Sequence, residues 1–306
     1  VRVRVLGSGA GGGFPQWNCN CANCRGLRSG FLRARARTQS SIALSADNKR
    51  WYLFNASPDI RQQLLAFDAL SPRTIPRDTP IEAIFLTNAE IDHIAGLLSL
   101  RESQSLCLYA TQQVQAWLLE TNAVFRAICL PPRCTWNIVV TSGQHAIIGV
   151  DGKDSGLYYE AFPVPGKPPA YLMDVVKRWD EGTIGYKITD ARTGRSLAYV
   201  PTIQNLTAAV TAVLESCQVV FFDGTCWSND ELMAVGLGQK TALSMGHLPI
   251  SGPDGSLVQL AGLRDVRKIY THLNNTNPLL VEDAPQRREV EEAGWEIAFD
   301  GMDFEV

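Results

Sequence analysis

The sequence predicts an α/β fold, a layered sandwich of two β-sheets with helices outside. Three observations carry this reading. Strand-like and helix-like segments are mixed along the whole chain, the early strands look antiparallel, and no long linker or low-complexity stretch interrupts them. With 306 residues, 45% of them apolar, the chain can bury a large core, and the pattern is that of one continuous domain over 1–306.

Runs rich in aliphatic and aromatic residues predict strands at Val3–Leu6, Ser41–Ser45, Trp51–Phe54, Ile81–Leu86, Leu106–Ala110 and Asn137–Thr141. Further strands are expected at Leu157–Phe162, Ile184–Thr189, Ser196–Val200, Val219–Asp223 and Lys268–Thr271. Helical periodicity appears at Asp59–Leu65, His93–Arg101, Gln112–Leu119, Leu206–Glu215, Leu257–Leu263 and Ala284–Ala293. The stretch Pro163–Tyr171 holds four prolines and a glycine and reads as a stiff loop of the kind that borders a site.

Charge narrows the partners. The formal net charge is -3, with no basic run or acidic tail, so the sequence gives no footing for nucleic acid or a membrane surface. No apolar stretch reaches the roughly 18 to 20 residues of a spanning helix, and the chain is expected to be cytoplasmic, without membrane insertion. Eight cysteines are spread too unevenly for a disulfide framework. Cys107, Cys129, Cys134, Cys217 and Cys226 sit in apolar segments and are expected to be small buried hydrophobes.

The run Gly7-Ser8-Gly9-Ala10-Gly11-Gly12 matches the dinucleotide pattern GxGxxG, but a pyrophosphate site needs a helix to begin there. Gly13-Phe14-Pro15-Gln16-Trp17 cannot start one. The glycines are expected to let the backbone turn tightly beside a site. Next comes Cys19-Asn20-Cys21-Ala22-Asn23-Cys24, three thiols in one tight loop. Thiolates suit a soft cation, and tetrahedral zinc is the default; free or redox-active cysteines are the competing reading. Three thiolates need a fourth ligand from elsewhere in the chain.

The segment Leu86-Thr87-Asn88-Ala89-Glu90-Ile91-Asp92-His93 crowds polar side chains where a strand gives way to a helix, although Asp92 is also a fair N-cap. Its last residues resemble the metal-binding signature HxHxDH of the metallo-β-lactamase superfamily, with Asp92 and His93 retained and Asn88 and Glu90 in place of two histidines. Ile269-Tyr270-Thr271-His272 resembles the superfamily's late strand ending in a metal-binding histidine. Ala198–Thr202, where a bridging aspartate is usual, has no acid, and Val164–Lys167 lacks the usual histidine. The resemblance implies a four-layer αββα metallo-β-lactamase-like sandwich with one surviving metal position, Asp92, His93 and His272. Two imidazoles and a carboxylate suit non-haem Fe2+ that activates O2, and Zn2+ or Mn2+ is chemically allowed.

Taken together, Val5–Cys19, Asn55-Ala56-Ser57-Pro58-Asp59, Glu90–His93 and His272–Pro278 resemble the coenzyme pyrroloquinoline quinone (PQQ) synthesis protein B family over nearly the whole chain. That resemblance implies iron- and O2-dependent hydroxylation of the tyrosine ring in a peptide-derived Glu-Tyr intermediate, with other pathway proteins as partners. Two other functions stay open: a carrier of PQQ or its precursor toward the periplasm, and a zinc or manganese phosphodiesterase-like hydrolase. Under hydroxylation Glu90 is a weak ligand or an acid beside the metal, and His247 moves protons. His145 is expected in a polar turn without a catalytic role. Arg61, Lys167 and Arg178 are basic candidates for substrate carboxylates that nothing in the sequence places. Similarity to phosphodiesterase relatives implies that Asn275 closes the cysteine knuckle around structural Zn2+ through a carbonyl oxygen, with Asn274 or His247 as fallbacks.

Overall fold

A computed structural model describes residues 1–306 apart from 103, 104, 132 and 178, so Arg178 lies outside the described residues. The strands fall into two sheets of seven. The first is built from β1 (Arg2–Gly7), β2 (Ser41–Ser45), β3 (Trp51–Phe54), β4 (Ile81–Phe85), β5 (Leu106–Ala110) and β6 (Cys134–Ile138). The second holds β7 (His145–Ile148), β8 (Asp154–Pro163), β9 (Ile184–Asp190), β10 (Ser196–Val200), β11 (Val219–Asp223), β12 (Arg267–Thr271) and β13 (Trp295–Ile297). The last strand, β14 (Asp303–Glu305), returns to pair with β1.

Both sheets follow one plan. Antiparallel pairing runs from β14 through β1 and β2 to β3, and from β7 through β8 and β9 to β10; the remaining strands of each sheet are parallel. Parallel strands need crossovers, and the crossovers carry the helices to the outer faces. Alternation along each strand then fills three apolar layers. Ile42, Phe54 and Phe85 of the first sheet meet Tyr186, Tyr199 and Phe221 of the second. Ala43, Leu53 and Ile84 face Ile60, Ile94 and Leu118 of the first helical layer, while Ala198, Val220 and Phe222 face Val210, Leu214 and Val290 of the other. Three cores between four layers make the αββα sandwich.

The central core is held in register by aromatic rings. Phe54, Phe85 and Tyr109 stack at 4.8 and 4.3 Å along the first sheet, and Tyr186 meets Phe54 and Phe85 edge-on at 5.4 and 5.5 Å from the second. Each such contact adds about 0.5–1.5 kcal/mol beyond burial.

Several expectations need correction. The strand expected at Asn137–Thr141 lies at Cys134–Ile138, because pairing to β5 sets its register. The helix expected at His93–Arg101 is a short α-turn, Ile91–Ile94, followed by a 3-10 turn, Ala95–Leu98. Asp92 is therefore not its N-cap; Glu90 holds that position. Cys24 belongs to the helix Ala22–Arg28 and not to a loop. His145 opens β7, stacked on Tyr159 at 5.3 Å, with Nε2 on Ser142 O at 2.9 Å. After β1 the next element is the helix Ala22–Arg28, so no helix begins at the glycine run itself.

The break at Gly96 fixes the site's approach to the sheet. Gly96 N donates to Ala56 O at 2.8 Å and Ala56 N to His93 O at 2.7 Å, so the turn carrying His93 lies flush against the end of β3. A Cβ at Gly96 would sit 2.3 Å from Ser57 O and 2.8 Å from the Ala56 carbonyl. Gly96→Ala is expected to lower stability by about 1–3 kcal/mol, read as a fall in the urea midpoint.

Candidate metal centre

The parallel halves of both sheets end on one edge, and the polar residues just past those ends converge there. From the first sheet, β4 runs out into Thr87 and Asn88. Asn55, in left-handed conformation at φ 64° just after β3, accepts from Thr87 N and Oγ1 through Oδ1, both at 3.0 Å, and fixes that exit. Asn88 Oδ1 then accepts from Glu90 N at 3.0 Å and from His93 Nδ1 at 2.7 Å. From the second sheet, β12 ends at Thr271, and His272 turns out at φ 60°. A histidine rarely adopts this conformation, and three backbone bonds impose it: Leu273 N to Ser8 O, Ala10 N to Leu273 O and Asn274 N to Thr225 O.

Asp92, His93 and His272 meet between the sheets, with ligand atoms all within 4.8 Å of one another. Asp92 Oδ2 lies 3.0 Å from His272 Nε2, and the two imidazole centroids are 5.2 Å apart. His93 is fully buried, and with Nδ1–H on Asn88 its Nε2 has no hydrogen-bond partner. A buried ring nitrogen bearing a lone pair and facing no donor is the form a metal takes. Burial lowers His93 to about 4 despite the pull of Asp92, so the ring is neutral at pH 7. Burial alone would raise Asp92, but His93 and the bond from His272 outweigh it and hold the carboxyl well below its ordinary range. His93 Nε2 offers a lone pair and Asp92 a carboxylate, and with His272 Nε2 beside them the set fits a divalent cation.

Beside it lies a hydrogen-bonded hub centred on Asp223, the last residue of β11. This fully buried carboxylate accepts from Ile203 N, from Thr225 N and Oγ1, and from His247 Nδ1 at 2.7 Å. Thr225 Oγ1 also meets His272 Nδ1 at 2.8 Å, and the His247 ring stacks on His272 at 5.2 Å. Asp223, His247 and His272 are close enough to count as a second cation cluster. Asp223 and His247 are bonded to each other, and Thr225 links Asp223 to His272 Nδ1, so the group braces the His272 ring from the side away from Asp92. Sequence reasoning missed Asp223 and Thr225. The signal was there: an apolar run ending in Asp223-Gly224-Thr225 repeats the strand-to-polar switch seen at Leu86–His93.

Glu90 comes to the same place. Burial, with the nearby Asp92 charge, raises it to about 7, against the pull of Lys167 and His272. Lys167, in the Pro-rich loop, donates to Ser244 O at 2.9 Å, and Tyr171 of that loop donates to Ala89 O at 2.8 Å, so the loop borders the centre. Arg61 is solvent-exposed on the helix Ile60–Leu65. The glycine loop forms another wall: a Cβ on Gly11 would lie 3.5 Å from Asp92 Oδ2.

The cysteines gather as expected, with the three sulfurs within 4.8 Å of one another. The Asn275 side-chain amide sits over them, Nδ2 lying 3.1, 3.6 and 3.4 Å from the sulfurs of Cys19, Cys21 and Cys24. Gln16 N and Cys21 N also point at sulfur, as backbone amides do around thiolates. Burial raises the Cys24 thiol to about 11, so three thiolates need a cation to coexist, and the set fits zinc. The two fallbacks fail. Asn274 bonds to Thr276 and His247 to Asp223, and both hold those groups instead of facing the knuckle.

Fold and site together define a metal-binding protein of metallo-β-lactamase type. The profile of the beta-lactamase superfamily domain matches residues 50–273. Coenzyme PQQ synthesis protein B of Azoarcus sp. is 46% identical over 304 residues, 99% of each chain. The crystal structure of zinc-bound PqqB from Methylobacterium extorquens superposes with a TM-score of 0.92 at 40% identity, covering 100% of both chains. A diphosphatase of the PhnP family, at 22% identity over 100% of this chain and 97% of its own, with a TM-score of 0.67, shares the fold. The chain belongs to the coenzyme PQQ synthesis protein B family.

Two outcomes test the donor sets. Asn88→Ala removes the acceptor that fixes the His93 ring and is expected to weaken metal binding at this centre by about 10–100-fold, measured by competition with a chromophoric chelator. Cys24→Ser is expected to lower the bound zinc per chain and the melting temperature while the Asp92–His93–His272 centre still binds metal.

Proposed function

We propose that this chain acts in PQQ biosynthesis as an iron- and O2-dependent hydroxylase of the tyrosine ring in a peptide-derived Glu-Tyr intermediate. The observation that carries the reading is the convergence of Asp92, His93 and His272 with the buried His93 Nε2 unpartnered, while Asp223 and His247 of the neighbouring hub are bonded to each other. Two imidazoles and one carboxylate leave room for substrate and oxygen beside one cation. Iron(II), when bound, supplies the activation of O2. The phosphodiesterase-like alternative relies on a second metal, which would have to share His272 and compete with the bond between Asp223 and His247.

The chain's own groups supply positioning and proton control. Asn88 and Thr225 orient the two ligand imidazoles through their Nδ1 atoms. Asp223 fixes His247 with Nδ1 inward, which leaves Nε2 to exchange protons with a bound phenol. Glu90, raised to about 7 by burial and the Asp92 charge, exchanges its proton near neutral pH and is a second proton reservoir. Carried to the ortho-quinone, one phenol ring and one O2 give one quinone and one water, so the balance needs no outside reductant. The knuckle's zinc is structural, and the Asn275 backbone carbonyl, 3.8 Å from Cys21 Sγ, completes it in place of the side-chain N–H that faces the sulfurs.

The test is anaerobic loading with iron(II), addition of a Glu-Tyr-derived substrate, exposure to O2 and mass analysis. The expected product has gained one oxygen and lost two hydrogens, and His93→Ala abolishes it. Tight binding with no mass change, indifferent to O2, would instead support the carrier reading. Turnover of an aryl phosphodiester with zinc or manganese would support the hydrolase.

A further inference from the structure

The loop 164–171 is strapped against one side of the metal centre and brings a cation there. Val164 N donates to Thr183 O at 3.2 Å, Gln204 N to Pro165 O at 2.8 Å, and the Tyr171 hydroxyl to Ala89 O at 2.8 Å, directly before Glu90. Thr183 in turn bridges to Asn88, which holds the His93 ring. Pro165, Pro168 and Pro169 stiffen the strap by fixing φ. Lys167 is its one charged residue.

The Lys167 side chain is placed along its whole length. A Cβ on Gly246 would sit 3.2 Å from Lys167 Cγ and 3.4 Å from its Cε, so the stem lies across the backbone that leads into His247, whose ring stacks on His272. The ammonium donates to Ser244 O at 2.9 Å, in the helix Ala242–Met245. That uses one of three N–H groups. Lys167 is half-buried and forms no ion pair among the described residues. The charges that act on it are Glu90, which attracts, and Lys240, which repels. Glu90 is a partial counter-charge only, because burial and Asp92 raise it to about 7. The fully charged acids of the centre are turned elsewhere, Asp92 to His272 and Asp223 to His247. Lys240 is exposed and likewise without an ion pair among the described residues, so two positive charges stand on one side of the site with no full anion to meet them.

We propose that Lys167 binds a carboxylate of the substrate and so anchors its phenol ring at the Asp92–His93–His272 centre. An ammonium with two free N–H groups takes a carboxylate as a point charge, and charge-assisted bonds of this kind are strongest where water is partly excluded. The proposal rests on the reading of the centre as the site of a tyrosine-type ring and names the group that selects an acidic substrate over a neutral one.

The experiment is calorimetric titration of the zinc-loaded full chain with para-hydroxyphenylpropanoate and, separately, with its primary amide, which keeps the ring and removes the charge. The parent is expected to bind the acid about tenfold or more tighter than the amide. Lys167→Met keeps an unbranched stem over Gly246 and removes the ammonium; it is expected to bind acid and amide alike, with its amide affinity and its zinc per chain at the parent's values. No preference for the acid in the parent, or a preference that survives in Lys167→Met, overturns the assignment. Neither iron nor O2 enters the titration, so a failure to hydroxylate leaves its result standing, and its own failure leaves the hydroxylation test untouched.

Discussion

Asp92 meets His272 at 3.0 Å across the seam between the two sheets, and the metal centre exists only while the two sheets hold that distance. One partner rides on the turn after β4 of the first sheet, the other on the end of β12 of the second. They meet only because both sheets finish their parallel halves on the same edge and the aromatic core holds the sheets in register. Each side is also braced locally. Asn55 and Asn88 fix the first sheet's exit, while Ser8, Ala10 and Thr225 hold His272 in a left-handed conformation it would not choose alone.

The N-terminal segment reinforces that seam. Backbone bonds link Ser8 and Ala10 to Leu273, directly after His272, and Gly9 N reaches Thr38 O. A few residues further on, the three cysteines close over Asn275, three positions beyond His272. The knuckle therefore clamps the strand end that presents a ligand without sharing any donor with the centre. A cation there adds its binding free energy to the folded state and stiffens the same segment.

Much of this was legible in the sequence. Five strands, from β2 at Ser41–Ser45 to β11 at Val219–Asp223, lie where their runs of β-branched and aromatic residues put them, since strands buried on both faces are almost continuously apolar. Asp92, His93, His272 and the cysteines stood out because their spacing is informative, and they do converge. What escaped was whatever tertiary contact decides. The three-residue strands β13 and β14 are too short for a pattern, and the register of β6 comes from β5. Asp223 was missed because the search for an acid stopped at Ala198–Thr202, the end of β10, when the acid stands at the end of the adjacent parallel strand. The role of Asn88 was equally invisible. It holds His93 through a side-chain oxygen, which no pattern of metal-binding residues reveals.

Anomalous diffraction from crystals loaded anaerobically with iron(II) and containing zinc, recorded at both absorption edges, separates the iron proposed for Asp92, His93 and His272 from the zinc proposed for the knuckle. The expected result is an iron peak bonded to His93 Nε2, His272 Nε2 and Asp92, and a zinc peak inside the triangle of Cys19, Cys21 and Cys24 with an Asn275 oxygen as fourth ligand. An iron peak between Asp223 and His247, or a first site that holds no metal while the knuckle is filled, would contradict it.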